Sequence, residues 1–169
     1  ALKASAGSVA VVGLPDVTLA ARNLAVDINL VSGVDADLDA DSKVIDFAAG
    51  DEEFKVITGT GKTMTLDMAG DSGRLLRASG SMDMRLGDFF EFNGSMGLER
   101  RVQEVTLADG SKAQTEMLSL GGTGLTGFVG LGPYGSDTNG NGQFEAREVN
   151  PNAKGLGVRD VEFGLAIFN

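Results

Sequence analysis

Between residues 76 and 98 the apolar side chains fall on even numbers: Leu76, Ala78, Met82, Met84, Leu86, Phe90, Phe92, Met96 and Leu98, with polar or small residues between them. A period of two is the signature of a strand with one face against a core. Turn residues interrupt the run at Ser79-Gly80-Ser81, Gly87-Asp88 and Asn93-Gly94. Parity limits what those interruptions do. A two-residue hairpin loop at Asn93-Gly94 pairs Glu91 with Met96 and sets opposite characters on one face. Two arrangements keep the faces uniform: three-residue hairpins of a tight meander, or glycines acting as bulges inside longer strands. Both are antiparallel.

Two other segments alternate with a one-residue slip of phase. Leu19, Ala21, Leu24, Val26, Ile28 and Leu30 slip at Arg22-Asn23, and Leu156, Val158, Val161, Phe163, Leu165 and Ile167 slip at Arg159-Asp160. A β-bulge produces such a slip, so the two segments read as two copies of one strand design. Further strands are expected at Val9–Leu14, Lys43–Phe47, Phe54–Thr58, Met64–Met68, Val102–Leu107, Thr115–Leu120 and Thr126–Leu131, with a hairpin turn at Asp109-Gly110. The chain has 25 glycines, three prolines and few stretches of helical period. The expected fold is all-β, with antiparallel sheets of bulged strands in a sandwich or an elongated, solenoid-like form and essentially no helix. At 169 residues, 1–169 is expected to form a single β module with one excursion at about 132–155.

That excursion carries the most specific chemistry. Residues 137–148 read Asp-Thr-Asn-Gly-Asn-Gly-Gln-Phe-Glu-Ala-Arg-Glu, which satisfies the calcium-loop pattern D-x-[DN]-x-[DN]-G-x5-E. Calcium is a hard cation that takes a shell of oxygens. Asp137, Asn139 and Asn141 supply positions 1, 3 and 5, and Gly142 allows the sharp turn at position 6. Gln143 offers its backbone carbonyl, Glu145 acts through a water, and Glu148 at position 12 binds with both oxygens. Glycine and proline interrupt both flanks, so no helix pair surrounds the loop and a structural clamp is expected rather than a sensor. With only Asp137, Glu148 and Glu145 anionic, affinity is expected in the weak range of extracellular modules, roughly 10⁻⁴–10⁻³ M. A second, defective candidate lies in the acidic stretch around Asp35, Asp37, Asp39 and Asp41, where Ala40 stands at the turning position.

Composition narrows the functional classes. A net charge of −10 disfavours nucleic acid and anionic membrane surfaces. No apolar run approaches the ~20 residues of a membrane helix, so no membrane insertion is expected. Arg74, Arg77, Arg100 and Arg101 form the main basic grouping and read as a solvated edge. The absence of cysteine and histidine excludes a disulfide framework, a thiolate or imidazole metal site and a cysteine nucleophile. Gly70-Asp71-Ser72-Gly73 therefore has no base to activate its serine. Gly59-Thr60-Gly61-Lys62-Thr63 lacks the first glycine and the strand-to-helix setting of a phosphate loop, and reads as a hairpin turn. Tryptophan is absent and Tyr134 is the single tyrosine, a thin supply of sugar-stacking rings. A non-enzymatic protein is expected.

The opening Ala1–Leu14 segment, the Asp137–Glu148 loop and the closing Gly155–Phe168 segment together resemble the glycine- and aspartate-rich β-modules repeated in tandem in very large secreted or surface-attached bacterial proteins. The resemblance implies a calcium-stiffened spacer of adhesin or matrix type, extracellular or at the cell surface. Its partners would be neighbouring copies or other subunits of an extracellular assembly. The alternatives are a filament subunit that polymerises by strand addition, or a calcium-dependent glycan-binding or hydrolytic domain.

Overall fold

A computed structural model describes residues 1–30, 44–50, 53–135, 138 and 148–169. The described residues form eight strands: β1 (Leu2–Val11), β2 (Val17–Asn29), β3 (Phe54–Gly59), β4 (Lys62–Leu66), β5 (Leu75–Leu86), β6 (Phe90–Thr106), β7 (Lys112–Leu131) and β8 (Lys154–Phe168). A 3-10 turn spans Gly70–Ser72, and Glu148 also has 3-10 geometry. Six strands form one antiparallel sheet in the order β1-β2-β5-β6-β7-β8, and β3-β4 form a separate hairpin. The all-β expectation is borne out.

The period-two pattern explains the two faces of the large sheet, because residues paired across an antiparallel ladder share a face. One row across all six strands runs Ala4, Val26, Ala78, Leu98, Leu120, Leu165, and another runs Val11, Leu19, Met84, Phe92, Gly127, Val158. The opposite face carries Lys3, Asp27, Arg77, Glu99 and Ser119 in one row. Charges alternate along it, and Arg77 pairs with both Asp27 and Glu99. One face is apolar and the other polar.

Packing elements lie on the polar face. At one end, the 44–50 segment and the β3-β4 hairpin bring Phe47, Leu66 and Met68 onto Leu75, which is 1% exposed. Asn29, beside Leu75 in the register, donates from Nδ2 to the Ile45 carbonyl, and the Phe47 amide donates to the Met68 carbonyl. On the apolar face Leu98, Leu118, Val161, Phe163 and Leu165 are all exposed, whereas Val102, beside Gly73, and Leu125 are buried. Total accessible surface is 11289 Å², against about 7,900 Å² for a compact chain of this mass. A single-layer sheet leaves that much surface to solvent.

Several expectations change in detail. The first strand starts at Leu2 rather than Val9 and ends at Val11, and β4 ends at Leu66 rather than Met68. Residues 44–47 are not a strand: their one ladder-like bond is from Phe47 to Met68, and Asn29 takes the Ile45 carbonyl. Of the interruptions in the 76–98 run, Gly87-Asp88 is a turn within the three-residue loop between β5 and β6, with Leu86 opposite Phe90. Gly80 and Gly94 stay inside long strands. The three-residue hairpin therefore occurs at Gly87, whereas Gly80 and Gly94 are not bulges themselves but lie opposite bulges carried by β2 and β7. Thr60-Gly61 is the β3-β4 turn, with Gly61 at φ 70.

Candidate functional site

The excursion that carries the 137–148 pattern begins where β7 ends. Gly132, at φ 81, turns the chain back over the polar face, a conformation that glycine adopts without cost. Tyr134 then stacks on Phe128 with ring centroids 4.8 Å apart and planes 13° from parallel. Its ring stands over Gly157, where a Cβ would come within 2.7 Å of the tyrosine. Glycine in the middle of a strand here marks a close approach. Phe128 is the residue that β7 sets opposite both Glu91 of β6 and Gly157 of β8, so three strands contribute to one seat.

Glu91 fixes the outgoing root. It is 7% exposed, its Oε1 accepts from the Tyr134 amide at 2.9 Å, and Arg85 lies at 3.4 Å. Burial of a carboxylate is tolerated because a cation and an amide satisfy it. The returning root is tied to the outgoing one. Gly135 bridges Val149, the Asn150 amide donates to the Tyr134 carbonyl, and Asn150 Nδ2 donates to the Pro133 carbonyl. Asn150 Oδ1 accepts from the Asn152 amide, closing the turn into β8.

Glu148, the bidentate position of the loop pattern, is 5% exposed. Its Oε1 accepts from the Thr138 amide at 2.9 Å and from the Thr138 hydroxyl at 3.0 Å. A carboxylate at position 12 is thus drawn in to the start of its own loop. Asp137, Asn139, Asn141, Gln143 and Glu145 lie outside the described residues, as do Asp35, Asp37, Asp39 and Asp41. Among the described residues no group of three or more acidic side chains is placed to hold a metal. A calcium ion held by the 137–148 pattern would take Glu148 as its described ligand, and an all-oxygen donor set suits that ion.

Residues that pattern reading passed over are Glu91, Phe128, Asn150 and Gly157, none of them in the motif. Two signals pointed at them. Tyr134 is the single tyrosine, and Gly157 interrupts an otherwise apolar alternating strand.

A second feature crosses the middle of the sheet. Asn23 on β2 and Asp160 on β8 adopt the left-handed region at φ 52 and 54, as the phase slips required. Register shifts accompany them at Arg22/Ala25, at Asn93/Ser95 around Gly94, and at Gly122/Leu125. Gly80 faces the β2 bulge, where a Cβ would meet Leu24 at 2.7 Å and the Arg22 carbonyl at 3.2 Å. The irregularities line up into a furrow of about 560 Å³ lined by Ser81, Ser95, Thr123, Gly80, Gly122 and Phe163 among others. Ser81 and Ser95 hydroxyls, 2.9 Å apart, satisfy one another across it.

The arginine grouping is ion-paired: Arg74 and Arg100 meet Glu116, and Arg101 meets Glu99. No helix among the described residues is long and apolar enough to cross a membrane. No protein-family model, curated protein or solved structure matches the chain.

Proposed function

We propose that the chain is a non-catalytic structural module of a bacterial extracellular or cell-surface assembly, stabilised by calcium in the 137–148 loop. The supporting observation is Glu148: a buried carboxylate at the closing position of a complete calcium-loop pattern, between two loop roots tied to each other and to the sheet. In this reading the sheet is the load-bearing body. The ion tethers the excursion to it, reducing the conformational freedom of residues 136–147 and protecting them from proteases. Neighbouring copies or other subunits of the assembly are the partners.

Thermal unfolding tests the clamp. For a dissociation constant near the weak end typical of extracellular modules, millimolar calcium adds about 1–2 kcal/mol. Wild type is expected to melt higher in calcium than in chelator, and the Asp137→Ala/Glu148→Ala double variant to show no difference. Identical wild-type melting curves in both buffers would remove calcium from the account.

A further inference from the structure

The two outer strands of the six-stranded sheet are β1 and β8. β2 carries its bulge at Arg22-Asn23 against β5, and the segments of β1 and β5 that lie beside it share a Gly-Ser-apolar pattern. On one side Gly7-Ser8-Val9 of β1 lies there, with Ser8 opposite Arg22 and Val9 opposite Ala21. On the other side Gly80-Ser81-Met82 of β5 does the same, with Ser81 opposite Arg22 and Met82 opposite Ala21. On the β5 side the small residue is a steric need, since a Cβ at Gly80 would strike Leu24 and the Arg22 carbonyl; on the β1 side the ladder passes Asn23 without a register shift, and a Cβ at Gly7 would meet nothing within 4 Å.

β8 repeats the β2 design at Arg159-Asp160, and among the described residues only its β7 side is paired. β1 offers Gly7-Ser8-Val9, and only its β2 side is paired. Strand direction alternates through the sheet, so β8 of one copy and β1 of the next meet antiparallel. Neither strand carries a proline, a common protection of free edges.

We infer that β8 of one copy pairs with β1 of a second copy of this chain, Arg159 opposite Ser8 and Val158 opposite Val9, extending the sheet from copy to copy. Both internal pairings give this register on the side before the bulge. It puts Leu156 and Val158 of one copy beside Val11 and Val9 of the other on the apolar face. These four side chains are now 74, 50, 44 and 50% exposed. The joint also carries the bulge row, and with it the furrow, onward. Charge agrees: in-chain, Lys3 of β1 faces Asp27 of β2, and at the joint it lies diagonal to Glu162 on the same polar face. The contact is heterologous and open-ended, so copies form a ribbon rather than a closed dimer. The inference rests on the assembly-module reading and names its partner.

The cysteine-free chain makes the test direct. Val9→Cys and Val158→Cys single variants, mixed at high concentration and oxidised, are expected to give a mixed-disulfide dimer that stops at two copies. The double variant is expected to give a ladder of multimers. A Ser8→Cys variant that dimerises with itself as readily would point to β1-to-β1 pairing, on the Ser81–Ser95 precedent, and overturn the inference. So would absence of the mixed disulfide when circular dichroism shows both variants folded. Repeating the reaction in calcium and in chelator separates the two proposals. Cross-linking without any calcium-dependent melting shift removes the clamp and keeps the joint; a melting shift without cross-linking does the reverse.

Discussion

β2 and β8 are the same strand twice, in different company. Each alternates apolar residues, slips phase at an arginine followed by Asn23 or Asp160, and holds that second residue in the left-handed region. β2 lies between β1 and β5, and its far end closes on Asn29, 2% exposed. Among the described residues β8 has one neighbour, and every one of its 15 residues is exposed. The backbone device is therefore local, written in a dipeptide whose short polar side chain tolerates positive φ. Burial is not local. It depends on what lies to either side, which the strand's own residues cannot supply.

The sharpest way to break the comparison is to add a side chain at a glycine in each setting. Gly80 faces the β2 bulge with 2.7 Å to Leu24, whereas Gly164 on β8 has open space around its missing Cβ. Gly80→Val is expected to cost about 1–3 kcal/mol through overpacking. Gly164→Val is expected to stay within about 0.5 kcal/mol of wild type. Urea titrations at low protein concentration measure both; equal losses would mean that β8 is as enclosed as β2.

The bulge residues themselves give the next contrast. Asn23→Val and Asp160→Val each force a β-branched residue to positive φ, a strain of about 1–3 kcal/mol where the surroundings hold it in place. β2 is held from both sides, so Asn23→Val is expected to lose most of that range and to speed amide exchange in β1, β2 and β5. β8 relaxes by fraying from its single neighbour, so Asp160→Val is expected to lose less and to loosen β8 alone. Asn23→Gly should be close to neutral. Matching exchange patterns for the two valine variants would refute the difference.

How much of this was legible beforehand follows from the same distinction. Alternation at 76–98 and the slips at Arg22-Asn23 and Arg159-Asp160 gave the all-β class and two bulges, because side-chain period and local φ are properties of short segments. Parity left Gly80, Gly87 and Gly94 undecided between turn and bulge; Gly87 turns, with Phe90 opposite Leu86, while Gly80 and Gly94 are neither, because the extra residue lies in the partner strand, β2 or β7. Residues 44–47 have a strand's composition, but Asn29 takes the Ile45 carbonyl and that segment packs as an irregular lid. At the candidate site, the motif named Glu148 and missed Glu91, which lies 43 residues before the Tyr134 amide it binds. No spacing rule reaches that far.

The smallest expected effect concerns how β7 holds the two ends of its neighbours. Glu116 exchanges backbone hydrogen bonds with Asn169, just past β8, while its carboxylate meets Arg100 of β6 at 2.7 Å and Arg74 at 3.6 Å. The hydrogen bond from Arg100 holds the Glu116 carboxyl below its ordinary 4.5, opposed by partial burial and helped by the charges of Arg100 and Arg74. A carboxylate with a lowered folded-state pKa contributes stability that is fully present above the unfolded value and lost as pH falls through the folded one. Stability should therefore decline on acidification below about pH 4.5, with Glu116→Gln declining less steeply there. Arg100 is half exposed, so solvent screening limits the contribution to at most about 1 kcal/mol. Denaturant midpoints for wild type and Glu116→Gln from about pH 6 to about pH 3 test this. A Glu116→Gln curve parallel to wild type would show that the arginines, rather than this carboxylate's ionisation, hold the strand end.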